Sequence, residues 1–77
     1  MTYQLYGKLK EDREATILAS GPLDEVLVAY RAKCDYMRDH GFRVVASKNL
    51  VTKHPFSSVW NPVSGYLEVI YGVEEAA

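Results

Sequence analysis

Apolar residues recur at steps of three and four between residues 22 and 40: Leu23, Val26, Leu27, Tyr30, Cys34 and Met37. This spacing forms one stripe of a 3.6-residue period and predicts an amphipathic helix from Pro22 to about His40. Its ends are marked too. Pro22 suits the first turn, Ser20 or Gly21 can cap it, and Asp24 and Glu25 favour the positive end of the helix dipole. Arg38, His40 and Gly41 suit the C-terminal end.

On either side of the helix the period shortens to two. Over residues 2–10, Tyr3, Leu5 and Leu9 alternate with Gln4, Tyr6, Lys8 and Lys10, as in a half-buried strand. Glu11, Asp12 and Arg13 then turn the chain. A second strand over about 14–19 sets Ala15, Ile17 and Ala19 on one face against Thr16 and Leu18. After the helix come a third strand at 42–47, a tight turn at Lys48-Asn49 and a fourth strand at about 50–54. Residues 54–65, bounded by Pro55, Pro62 and Gly65, have no clean period and read as a loop. The last strand spans 66–73, and 74–77 is a frayed tail.

The resulting order, β-β-α-β-β-β, describes one small α+β domain over residues 1–77, with an antiparallel sheet and one long helix packed on one face. A right-handed crossover through the helix would set the third strand beside the first and parallel to the second. The core facing the helix is then Tyr3, Leu5, Leu9, Ala15, Ile17, Phe42, Val44, Leu67, Val69, Tyr71 and Val73. The opposite face exposes Tyr6, Leu18, Val45, Tyr66 and Ile70 among Gln4, Lys8, Thr16, Arg43 and Glu68. Two readings of that apolar content stay open. Either the 54–65 loop folds over it with Phe56, Val59 and Trp60 as a lid, or the face is a partner surface.

Composition adds limits to this picture. A chain of 77 residues, 48% hydrophobic and 25% charged, buries only about 60–65% of its unfolded surface, so a partner, a second copy included, would add to its stability. No positively charged leader precedes an apolar stretch, and no apolar run approaches the roughly 20 residues that span a bilayer. A cytoplasmic location without membrane contact is expected. The single cysteine, Cys34, lies on the apolar stripe, where a thiol acts as a small hydrophobe, which suits a reducing compartment.

Net charge is −1, yet it is unevenly spread. Residues 1–25 hold three basic and five acidic groups, residues 26–54 six and two, and residues 55–77 none and three. In the basic middle, Arg43, Lys48, Lys53 and His54 form a candidate electrostatic contact, with Arg31 and Lys33 on the helix; the plain alternative is a solvated charged face.

No pattern points to catalysis. Cys34, His40 and His54 lack the paired spacing of metal ligands, and His54 with Ser57 and Ser58 lacks a nucleophile elbow. The five glycines form no phosphate-cradling run. The carboxylate pairs Glu11-Asp12, Asp24-Glu25 and Glu74-Glu75 suit a turn, a helix start and a tail. A non-enzymatic protein without metal or cofactor is expected.

Tyr6 and Tyr66 on a helix-free face suggest base stacking, but the second helix and the glycine-aromatic motif of an RNA recognition motif are missing. The 12% aromatic content, with Trp60, Phe56 and six tyrosines, favours a protein partner bound through Phe56, Trp60, Tyr6, Tyr66, Val45 and Ile70. In general character, though not in residues, the chain resembles the accessory inhibitors of bacteriophages and mobile elements, anti-CRISPR proteins among them. That resemblance implies an inhibitor or adaptor that occludes a nucleic-acid-handling complex. The alternatives are a direct single-stranded nucleic-acid binder and a small homodimeric structural protein.

Overall fold

Strand β1 (Tyr3–Leu9), β2 (Thr16–Gly21), helix α1 (Leu23–Asp39), β3 (Arg43–Lys48), β4 (Pro55–Trp60) and β5 (Leu67–Glu75) follow one another along the chain. The structure is a computed structural model describing residues 1–76. The strands form one antiparallel sheet in the order β2-β1-β5-β4-β3, and α1 lies on one face. The expected α+β class and element order are therefore present.

The crossover differs from expectation. β5, not β3, takes the place beside β1, and β3 lies at the far edge, still parallel to β2. α1 thus carries the chain from one edge of the sheet to the other. The reason lies in β5, whose Val69, Tyr71 and Val73 are all buried. Its apolar run is satisfied only by neighbours on both sides, so it occupies the centre.

The helix stripe packs as its spacing predicts. Val26, Tyr30 and Cys34 are buried, and Leu23, Leu27 and Met37 pack at the margin. They meet Leu5, Val59, Val69, Tyr71 and Val73, with Tyr3, Ala19, Phe42 and Val44 around them. Full burial of a side chain such as Leu5 or Val59 contributes about 1.5–3 kcal/mol. Pro22 itself is the N-cap, extended at φ −61° and ψ 151°, and its carbonyl accepts from the Val26 N–H at 3.1 Å. Neither Ser20 nor Gly21 caps the helix, because both belong to β2 or its last residue. At the other end Gly41, at φ +86°, lets its own N–H reach the Arg38 carbonyl and that of Phe42 reach Met37, a Schellman closure.

Three expectations fail on the sheet. The fourth strand is not 50–54 but Pro55–Trp60, inside the segment read as a loop. It was hidden because each of its faces carries one serine: Ser57 and Val59 face the helix, while Phe56, Ser58 and Trp60 face away. Second, a bulge in the β1–β2 ladder moves the register from Leu5 opposite Ala19 to Tyr6 opposite Ile17. The extra residue flips the strand, so Ile17 leaves the core for the helix-free face and Leu18 turns inward to meet Gly7. Ala15 and Leu9 are exposed as well. Third, Glu74 and Glu75 continue β5 beside Gln4 and Tyr3, and the Ala76 N–H bonds Thr2 at 2.9 Å, so the tail is ordered up to that point. Ala77 lies outside the described residues.

The two hairpins that flank β4 turn by the same device. Asn49 and Asn61 each accept two backbone N–H groups on their side-chain oxygen, from Val51 and Thr52 and from Val63 and Ser64. Each also bonds the residue five places on, Asn49 to His54 and Asn61 to Tyr66, at 2.9 Å. The residue four places on is left-handed in both, Lys53 at φ 66° and Gly65 at φ 76°. This explains why Leu50 and Val51 do not form a strand: the Asn49 side chain takes the amides a ladder would need.

Among the described residues no helix is long and apolar enough to cross a membrane.

Candidate protein-interaction face

Among the described residues, no element lies over the sheet face turned away from α1. Strand register lays its side chains in rows. One row reads Tyr6, Gly72, Phe56 and Ser47 across β1, β5, β4 and β3. The next reads Lys8, Ile70, Ser58 and Val45. Trp60 and Arg43 stand opposite one another beyond these, and Ile17 extends the first row onto β2.

Four of the six residues proposed from sequence for partner binding, Tyr6, Val45, Phe56 and Ile70, are thus gathered on one surface, and Trp60 joins them. Phe56 and Trp60 belong to the face itself and are not a lid above it, while Val59 is fully buried on the helix side. Tyr66 stands apart at the end of the β4–β5 turn, 66% exposed, with the Lys10 ammonium 4.8 Å from its ring centre. Sequence reading missed Ile17, which is 47% exposed. Only the bulge brings it here, and no local signal marks a bulge in residues 16–21.

The aromatic groups on the face are held in place. The hydroxyl end of the Tyr6 ring lies against Gly72, where any Cβ would overlap it. Burial raises the Tyr6 phenol above its ordinary pKa, and the nearby Glu74 carboxylate adds to the shift. Gln4 donates to that carboxylate at 2.8 Å. The Trp60 indole N–H donates to the Ser58 hydroxyl at 3.0 Å, which lays the ring along its own strand. Beside it opens a groove of about 450 Å³ lined by Arg43, Val45, Ser58, Trp60 and the β4–β5 turn.

The basic residues do not form one patch. Arg43 lies on the open face, whereas Lys48 shares the parity of Val44, which packs toward the helix. The two are separated by about 17 Å of strand at 3.4 Å per residue. Lys53 sits in the left-handed position of the first turn. His54 packs edge-on against Tyr3, with ring centres 5.4 Å apart. No group of three or more His, Cys, Asp or Glu side chains gathers as a metal site among the described residues, and the Cys34 thiol is buried.

Set against family models, curated proteins and solved structures, the chain matches none, so its function has to be argued from this face.

Proposed function

We propose that the protein is a non-enzymatic binding module whose helix-free sheet face receives a protein partner. One observation carries this reading: Tyr6, Phe56, Trp60 and Ile70, each partly exposed, and the exposed Val45 make a contiguous aromatic and aliphatic surface over four strands, and among the described residues no helix or strand lies over it. Tryptophan and tyrosine on a rigid sheet bury large area with little loss of side-chain freedom, the property that makes them interface hot spots. The splitting of the cations between two faces and a turn weighs against a continuous phosphate track and so against direct nucleic-acid binding. The module would act in the cytoplasm as an inhibitor or adaptor of the anti-CRISPR type, blocking a site on a larger assembly by occupying it.

Affinity capture from the source cell, with wild type and Trp60→Ala run in parallel and both melted thermally, tests the proposal. The expected outcome is a stoichiometric protein partner whose binding falls by at least about 2 kcal/mol in Trp60→Ala, with the variant still melting cooperatively. Recovery of nuclease-sensitive material alone, or equal recovery by a folded Trp60→Ala protein, would overturn it.

A further inference from the structure

Next to the open face runs an unpaired strand edge. β3 has a single ladder, with β4, and its register continues from Arg43 opposite Trp60 to Lys48 opposite Pro55 without a shift. The other edge strand, β2, is broken by its bulge. The Asn49 N–H donates to the His54 carbonyl, so the alternation of an antiparallel ladder turns Ser47, Val45 and Arg43 toward β4. It leaves the N–H and C=O groups of Val44, Ala46 and Lys48 directed outward. Such a row is a template for another strand. All of β3 except Val44 is exposed.

Charge selects which strand fits. No Asp or Glu occurs between Asp39 and Glu68, and Arg43, Lys48 and Lys53 all fall in that interval. Among the described residues the one ion pair is Arg38 with Asp35, so none of these three cations is neutralised. At the Arg43 end lies the groove beside Val45 and Trp60, within reach of an apolar side chain on the open-face side of an added strand.

We infer that β3 accepts an extended acidic segment of the partner as a sixth strand, its carboxylates beside Arg43 and Lys48 and an apolar side chain in the groove at Trp60. The inference rests on the reading of the face as a protein interface and adds the mode of recognition and the partner's chemistry. A polynucleotide fits the same edge poorly. It offers no alternating amide and carbonyl groups to match β3, and the cations at the two strand ends point to opposite faces.

The test is an NMR titration of the isotope-labelled chain with a Glu-Val peptide of about eight residues, long enough to span an ordinary strand. One doubled Val shifts its alternation, so that carboxylates fall on both faces of the added strand and can meet Lys48 on one and Arg43 on the other. The same peptide with Lys in place of Glu (Lys-Val) and an oligothymidylate serve as comparisons. The Glu-Val peptide should saturate, should slow exchange of the Val44, Ala46 and Lys48 amides at least about tenfold, and should bind at least about tenfold tighter than Lys-Val. Ala46→Pro removes an outward N–H at a place where an edge strand tolerates proline, and it should abolish binding while melting as the wild type does. If Ala46→Pro does not fold, the double variant Arg43→Glu with Lys48→Glu replaces it and should reverse the preference toward Lys-Val. A Glu-Val peptide that perturbs only Tyr6, Phe56 and Ile70 and binds Ala46→Pro normally would overturn the edge while leaving the face reading intact. Absence of any peptide response would also overturn the edge, and the capture experiment then decides the face independently. Saturation by oligothymidylate in place of the peptide would overturn both.

Discussion

Tyr30 of α1 and Ser57 of β4 hydrogen-bond hydroxyl to hydroxyl inside the core, tying the helix to an inner strand. Ser57 is fully buried and is the only buried polar side chain among the described residues. No buried side-chain nitrogen or oxygen there lacks a partner. The pair is therefore a satisfied polar link in an otherwise apolar interior, and each member depends on the other.

Removing either hydroxyl strands its partner in a low-dielectric site. Ser57→Ala and Tyr30→Phe should each lower stability by about 1–3 kcal/mol. The double variant should lose clearly less than the sum, because it leaves no orphaned group. Denaturant unfolding of the four proteins measures the coupling, and strictly additive losses would show that the hydroxyls do not interact.

Alkaline pH offers a second probe of the interior. Burial is the leading cause that raises the phenol pKa of Tyr6, Tyr30 and Tyr71 above the ordinary 10.0. For Tyr30 the Ser57 hydrogen bond opposes this and Cys34 adds to it. A raised folded-state value means that the unfolded chain gives up these protons first. Their contribution to stability is then fully present below about pH 10 and is lost as pH rises through the folded-state values. Thermal melts from neutral pH upward should show a steepening decline there, and Tyr30→Phe should flatten it.

The matching turns make opposite predictions at corresponding positions. Lys53 holds a left-handed conformation that costs a side chain about 1–2 kcal/mol, less the freedom glycine loses on folding. Lys53→Gly should therefore stabilise by about 0.5–1 kcal/mol, whereas Gly65→Ala should destabilise by about 1 kcal/mol. Paired unfolding curves check both, and changes of equal sign would contradict the shared geometry.

Gly72 can be tested through its neighbour. A side chain there must displace the Tyr6 ring, so Gly72→Val should cost about 1–3 kcal/mol by overpacking. Adding Tyr6→Ala should restore most of that loss. If the second change gives no recovery, Tyr6 does not lie against the glycine.

The sequence made some of this architecture legible and concealed the rest for definite reasons. α1 was readable because six residues keep one period and Gly41 marks its end. β1 and β5 were readable through alternation, as were the face positions Tyr6, Val45 and Ile70 that follow from it. β4 was not, since Ser57 stands in the core, where a periodicity reading expects an apolar residue, and only the distant Tyr30 makes that burial tolerable. Leu50 and Val51 have strand-like chemistry but stand 83% and 89% exposed on a turn governed by Asn49. The place of Ile17 depends on a bulge, and the separation of Arg43 from Lys48 depends on Lys48 lying within β3, where the spacing reads it as the start of a turn.

The central position of β5 has a bearing on how the molecule comes into being. Its ladder with β1 joins segments far apart along the chain, Tyr3 lying opposite Glu75, and its ladder with β4 completes the sheet. Until β5 has cleared the exit tunnel, the nascent chain can form only the β1–β2 and β3–β4 pairs and a helix whose apolar stripe has no complete floor beneath it. Acquisition of structure during synthesis is thus deferred until β5 is available, and the wait leaves Val26, Tyr30 and Val59 open to holding chaperones.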